Sequence, residues 1–289
     1  MRDTPGGYAI IGGTGFNDLV AKSDSSDRHG GPQGLATPGE AREVATPYGA
    51  AHVAEVEIGG GPVLFLARHG AGHAVLAHQI NYRANIWALR SLGVRAVLAA
   101  CSAGGINRQM QPGEFALLTQ FLDFTRQRAG TFFDRPGSAA MHVDVTDPYC
   151  PSLRAALTRA GDALGEALHP STTYVCTEGP RFETPAEINA FGVMGGDVVG
   201  MTGLPEATLA REANLCYASV AIITNWAAGV TGQALSHGEV VAAMDERRDA
   251  VWRLLGEAIV RHRAAPEPCA CGQAVDEAVW RSLADADAP

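Results

Sequence analysis

The chain of 289 residues carries 31 Asp and Glu against 22 Lys and Arg, a formal net charge of −9 that disfavours a nucleic-acid-binding surface. Hydrophobic residues make up 46% and charged residues 18%, enough for a sizeable core and too apolar for a disordered chain. No apolar run reaches the roughly 20 residues of a membrane span, and Met1 to Gly7 lack the basic and apolar blocks of a signal peptide, so a soluble cytoplasmic protein is expected.

Tyr8 to Ile11 reads as a short buried strand ending in the tight turn Gly12-Gly13-Thr14-Gly15. Two further strands, Ala51 to Ile58 and Pro62 to Ala67, flank Gly59-Gly60-Gly61, and the spacing of Ile80, Ala84, Trp87 and Ala88 predicts a helix over 80–92. Val97 to Ala100 and Phe115 to Leu118 read as buried strands. Residues 126–150 are irregular and rich in Gly, Pro and Asp; a structureless loop of that length is uncommon in a compact domain, so an ordered excursion is expected. A helix over 152–168, a strand Thr172 to Cys176, a helix over 185–194 and a short strand Val198-Val199 follow. Pro205 suits the first turn of another helix, and Tyr217 to Ile223 is a strand running into Thr224-Asn225-Trp226. Ser236, with Glu239 three residues on, has the capping-box spacing of a last helix start. The alternation predicts one α/β domain over 1–264, a central mixed and largely parallel sheet flanked by helices, followed by an Ala/Pro/Asp-rich tail over 265–289.

Two residue types narrow the chemistry. Lys22 is the single lysine, which disfavours Schiff-base chemistry and a Walker-type phosphate loop. The six cysteines, Cys101, Cys150, Cys176, Cys216, Cys269 and Cys271, are scattered and read as buried free thiols. Cys269-Ala270-Cys271 is too close a pair, with no second Cys or His cluster nearby, to announce a zinc site; no metal is expected.

In open α/β sheets ligands bind beyond the carboxyl ends of the strands. The polar residues collected there are Thr14, Arg68 with His69, Cys101 with Ser102, Met201 with Thr202, and Asn225. Gly13-Thr14-Gly15 offers backbone N–H groups and a hydroxyl, and Arg68 a planar fork; together they describe an anion site. Taken singly, each has a plainer reading: Arg68 as a surface ion pair, His69 as a satisfied core histidine, Ser102 as a turn residue. Gly13-x-Gly15-x-x-Asp18 lacks the third glycine of the dinucleotide fingerprint.

These residues carry a resemblance. Gly12-Gly13-Thr14-Gly15, Arg68-His69-Gly70-x-x-His73, Asn81 to Trp87, Glu178-Gly179-Pro180-Arg181-Phe182-Glu183-Thr184 and Gly200-Met201-Thr202-x-x-Pro205-Glu206 resemble, in order, the trimeric purine nucleoside phosphorylase and methylthioadenosine phosphorylase family. The resemblance implies attack of inorganic phosphate, as co-substrate, on the anomeric carbon of a purine nucleoside, with no cofactor and no metal. By motif it gives Thr14, Arg68, His69, Cys101, Ser102 and Thr202 to phosphate, with Cys101 standing where Thr or Asn is usual in the family. Met201 is implied against the ribose, Phe182 against the purine face, and His142 as the contribution of a neighbouring subunit in a homotrimer.

The resemblance also bears on the base and the 5′ group. Cleavage leaves positive charge on the sugar and negative charge on the purine, so an anion beside one and a donor, Asn225, beside the other suffice. Thr224-Asn225-Trp226-Ala227 lacks the two aspartates of the methylthioadenosine branch, and Glu183 matches the acid that accepts from N1–H of a 6-oxopurine. Inosine-like or guanosine-like substrates are expected on that ground. Ser236-His237 aligns with the histidine used toward a 5′-hydroxyl, while Arg68-His69-Gly70 and Tyr82-Arg83-Ala84-Asn85 look closer to the methylthio branch, which keeps methylthioinosine and methylthioadenosine as alternatives.

Overall fold

The structure, a computed structural model, describes residues 7–13, 41–70, 72, 74–135, 140–232 and 236–285. Strand β1 (Gly7–Gly12) is followed by the antiparallel meander β2 (Arg42–Thr46), β3 (Gly49–Ile58) and β4 (Gly61–Ala67). β2 had no signal in the sequence because none of its residues is fully buried, which leaves no apolar alternation to read. Helix α1 (Tyr82–Ser91) starts where Asn81 Oδ1 accepts from the Ala84 N–H at 3.1 Å and buries eight of its ten residues. Strand β5 (Val94–Gly105) then crosses the centre of the molecule; only Arg95 of its residues is fully exposed.

The second half contains β6 (Phe115–Phe124), α2 (Pro151–Leu164), β7 (Leu168–Thr177), α3 (Pro185–Val193), β8 (Val198–Gly200), α4 (Glu206–Glu212), β9 (Cys216–Trp226), α5 (His237–Ala264) and α6 (Glu277–Asp285). Capping chemistry sets several starts. Thr184 and Glu187 form a reciprocal capping box on α3, and Ser236 Oγ accepts from the Glu239 N–H at 3.2 Å on α5, as its spacing predicts. Pro205 stands immediately before α4, one residue earlier than the reading that put it in the first turn.

The nine strands order as β2-β3-β4-β1-β5-β8-β7-β6-β9, and β9 also pairs with β5, so β5, β8, β7, β6 and β9 close into a ring. The sheet is mixed: β1 runs parallel to β4 and β5, β5 to β9, and β7 to β6 and β8, whereas β8 opposes β5 and β6 opposes β9. Alternate residues of β1 feed two apolar layers. Ala9 and Ile11 join Trp87 and Leu209, from α1 and α4, on one side; Ile10 joins Leu153, Trp252 and Leu255, from α2 and α5, on the other.

The excursion after β6 has neither helix nor strand over its described residues, yet it is ordered. Phe132 is fully buried beside Trp87, and its N–H donates to Glu212 Oε2 at 2.8 Å. No described helix is long and apolar enough to cross a membrane.

Two sequence expectations about the C-terminal end need correction. The stretch beyond 264 is packed rather than a polar tail: α6 places Trp280, 6% exposed, 4.9 Å from the Trp87 ring, and Asn214 exchanges two hydrogen bonds with the backbone of Val275. Its abundant Ala, Pro and Asp masked the one-turn pair Trp280 and Leu283, both buried. Cys269 and Cys271 also have cysteine neighbours: folding brings Cys150 and Cys216 beside them.

Candidate active site

Where β1, β5, β8 and β9 end, a cavity of about 310 Å³ opens, closed on another side by residues leading into α3. His69, Cys101, Ser102, Phe182, Glu183, Met201, Thr202 and Asn225 all line it, so residues spread over the chain by the sequence converge on one space. Thr14 lies outside the described residues, as does the side chain of His237, although Val240, one turn further along α5, lines the cavity. His142 is exposed and does not line the cavity of its own chain.

The anion-binding candidates differ in how they are held. His69 is buried, and its Nδ1 must donate to the Val75 carbonyl at 2.8 Å, because a carbonyl oxygen only accepts; that bond fixes the orientation of the ring. The Cys101 thiol is pushed up to about 11 by burial and hydrogen-bonds Ser219 and Tyr174; it is a neutral thiol, and the half-buried hydroxyl of Ser102 is the polar group beside it in the cavity. Thr202 is fixed through its backbone, whose N–H donates to Tyr174 Oη at 3.2 Å.

Arg68 is neither a surface ion pair nor a cavity-lining residue. It is 2% exposed, and its Nε and Nη2 donate to the two carboxylate oxygens of Glu206 at 2.7 and 2.8 Å while Nη1 donates to the Ala100 carbonyl at 2.9 Å. Burial alone would lower the guanidinium pKa; the charge and hydrogen bonds of Glu206 more than reverse this, so Arg68 stays charged. Gly13 separates it from the cavity, since a Cβ built there would stand 3.0 Å from Arg68 Nη1. Glu206 also accepts from Tyr217 Oη at 2.7 Å. Sequence reading quoted Glu206 as part of a motif and gave it no role; the signal available was that a buried arginine needs an acid.

Each polar group at the candidate base site is oriented by the threonine at a strand end. Thr177 Oγ1 donates to Glu183 Oε1 at 2.6 Å, and Thr224 Oγ1 donates to Asn225 Oδ1 at 2.8 Å. The Asn225 amide also donates to the Trp226 carbonyl at 2.8 Å, which leaves its second N–H for a ligand. Neither threonine was singled out from the sequence, where a hydroxyl next to a functional residue has no distinguishing pattern.

Arg128, with a side chain 2% exposed, was also missed. It donates to the carbonyls of Met201, Leu204 and Glu178, tying together the two segments that carry Met201 and Phe182. Gly179 lets those segments approach: its φ is +71°, and a Cβ there would stand 2.6 Å from Met201 Sδ. Gly179→Ala is therefore expected to cost about 1–3 kcal/mol of stability and to weaken nucleoside binding through the displaced Met201. Urea unfolding and a nucleoside KM check this; wild-type values for both would contradict it.

The chain matches the phosphorylase superfamily over residues 8–260. It belongs to that superfamily. Among relatives, a 6-oxopurine nucleoside phosphorylase of Pyrococcus furiosus is 47% identical over 87% of this chain and 91% of its own length. A probable S-methyl-5′-thioinosine phosphorylase of Methanopyrus kandleri is 45% identical over 93% of this chain and 97% of its own. The crystal structure of a methylthioadenosine phosphorylase from an antarctic soil metagenomic library superposes with a TM-score of 0.83 at 30% identity, covering 98% of this chain and 100% of that one. The nucleoside phosphorylase architecture expected from the motifs is thus the observed one, and this superfamily member carries its candidate site where the strand ends meet.

Proposed function

We propose that the protein cleaves 6-oxopurine nucleosides, inosine-like or guanosine-like, by phosphorolysis to the free base and ribose 1-phosphate. The observation that carries this reading is the pair Glu183 and Asn225, each held by a threonine and both facing the same cavity. A 6-oxopurine offers an N1–H donor and an O6 acceptor; the Glu183 carboxylate takes the first and the spare Asn225 N–H the second. As the glycosidic bond breaks, negative charge grows on the purine, and the Asn225 N–H is placed to stabilise it. Phosphate, held by Thr14, His69, Ser102, Thr202 and backbone N–H groups, offsets the positive charge on the ribose and attacks its anomeric carbon. Arg68, buried behind Gly13 and held by Glu206 and Ala100, adds its positive charge to the phosphate side of the site from there. Phosphate is the co-substrate, and no cofactor takes part in this reading. In this reading the working form is a cytoplasmic homotrimer, and His142 of a neighbouring subunit completes the site.

One observation favours methylthioinosine as the second reading: Leu76, Ala77 and Val240 give the cavity an apolar part suited to a 5′-methylthio group. A panel of inosine, guanosine, adenosine, methylthioinosine and methylthioadenosine, assayed as kcat/KM, tests both. Preference for the 6-oxo member of each pair supports the base assignment, and preference for adenosine or methylthioadenosine overturns it. His237→Val separates the 5′ groups. If His237 binds a 5′-hydroxyl, inosine turnover falls about tenfold or more while methylthioinosine turnover holds or improves; equal loss on both contradicts that role.

A further inference from the structure

Outside the nucleoside cavity stand four thiols that the proposed reaction does not use. Cys150, Cys216, Cys269 and Cys271 place their Sγ atoms all within 4.8 Å of one another, with Cys216 and Cys269 3.4 Å apart, and none of them lines the cavity. Three separate parts of the chain supply them. Cys150 caps the start of α2, Cys216 opens β9, and Cys269 and Cys271 lie at the short turn that precedes α6. The backbone fixes the first two, since the Cys150 N–H donates to the Tyr217 carbonyl at 2.7 Å. Cys150 and Cys271 are buried and the other two half-buried, all as free thiols.

The spacing discriminates between two uses of such a cluster. Disulfides need sulfurs about 2.05 Å apart. Sulfurs bound tetrahedrally to zinc at about 2.3 Å stand about 3.8 Å from one another, a value between the 3.4 Å pair and the 4.8 Å limit seen here. We propose that Cys150, Cys216, Cys269 and Cys271 form a tetrathiolate site for zinc that ties the C-terminal segment to the ring of strands. On binding, each S–H bond gives its proton to solvent and each sulfur its electron pair to the metal; four protons are released and nothing is oxidised or reduced. Arg211, on α4, supplies positive charge near Cys271 against the net negative centre.

The tie has a mechanical consequence. Past Cys271 the chain is held by the Asn214 to Val275 hydrogen bonds, the Arg90 to Glu277 ion pair at 2.6 Å and the tilted ring contact of Trp280 with Trp87. Zinc would anchor the near end of that segment and, being outside the cavity, leave the reaction unchanged.

The test uses the full-length protein, reduced, dialysed against zinc and then freed of excess metal. Elemental analysis is expected to give one zinc per chain, and intact mass under denaturing, non-reducing conditions a fully reduced chain. A Cys269→Ser/Cys271→Ser variant is expected to lose the zinc, melt at a lower temperature and keep wild-type kcat at temperatures where it is folded. Reduced wild-type protein that retains no zinc overturns the proposal, and so does protein purified without reductant that is lighter by four hydrogen atoms and refuses zinc, which would mean two disulfides. Zinc that stays at one per chain in the double variant overturns it as well, because the metal would then sit elsewhere.

Discussion

Glu206→Gln is expected to lower the unfolding free energy by about 3–5 kcal/mol, the range for stripping one partner from a buried ion pair. Arg68 and Glu206 are 2% and 0% exposed, and the carboxylate accepts two hydrogen bonds from Arg68 and one from Tyr217. A neutral amide offers one acceptor oxygen and presents N–H groups where Arg68 and Tyr217 also donate, so a full positive charge remains in the interior without its counter-charge. Urea unfolding gives the number. The double variant Arg68→Met/Glu206→Met is expected to recover most of the stability, because no unpaired charge is left, while its half-saturating phosphate concentration rises above the wild-type value, because the positive charge of Arg68 is gone. A loss of less than about 1 kcal/mol in Glu206→Gln would show that water reaches the pair.

Asn225→Asp is expected to cut inosine kcat/KM by about 100-fold or more and to raise adenosine kcat/KM modestly. The new carboxylate keeps the hydrogen bond from Thr224 Oγ1 but faces two oxygens it cannot donate to, the Trp226 carbonyl and O6 of the base. The 6-amino group of adenine gains a charge-assisted acceptor at the same place. Glu183 limits the gain: it is held by Thr177 Oγ1 at 2.6 Å and faces an unprotonated adenine N1 with a like acceptor. Asn225→Asp/Glu183→Ser is therefore expected to favour adenosine more than the single change. An unchanged inosine to adenosine ratio in the single variant would remove Asn225 from the base edge.

Much of the site was legible because glycine turns and strand-end polar residues leave a mark in one dimension. Gly13, His69, Ser102, Phe182, Glu183, Met201, Thr202 and Asn225 were each identified from short motifs, and the fold brings them to one cavity. What the sequence concealed are partnerships between distant residues. Arg68 finds Glu206 138 positions away, and Cys269 meets Cys216 across 53 positions. Arg128 lies in an irregular stretch with no periodicity, and its importance rests on the carbonyls it collects. Trp280 was hidden by the composition around it and by the shortness of α6.

The measurement that bears most directly on the proposed reaction follows inosine with and without inorganic phosphate, reading hypoxanthine and the sugar product together. Base release only with phosphate, matched one to one by ribose 1-phosphate, is the result predicted. Hypoxanthine released at the same rate without phosphate, together with free ribose, would make water the nucleophile and contradict the account.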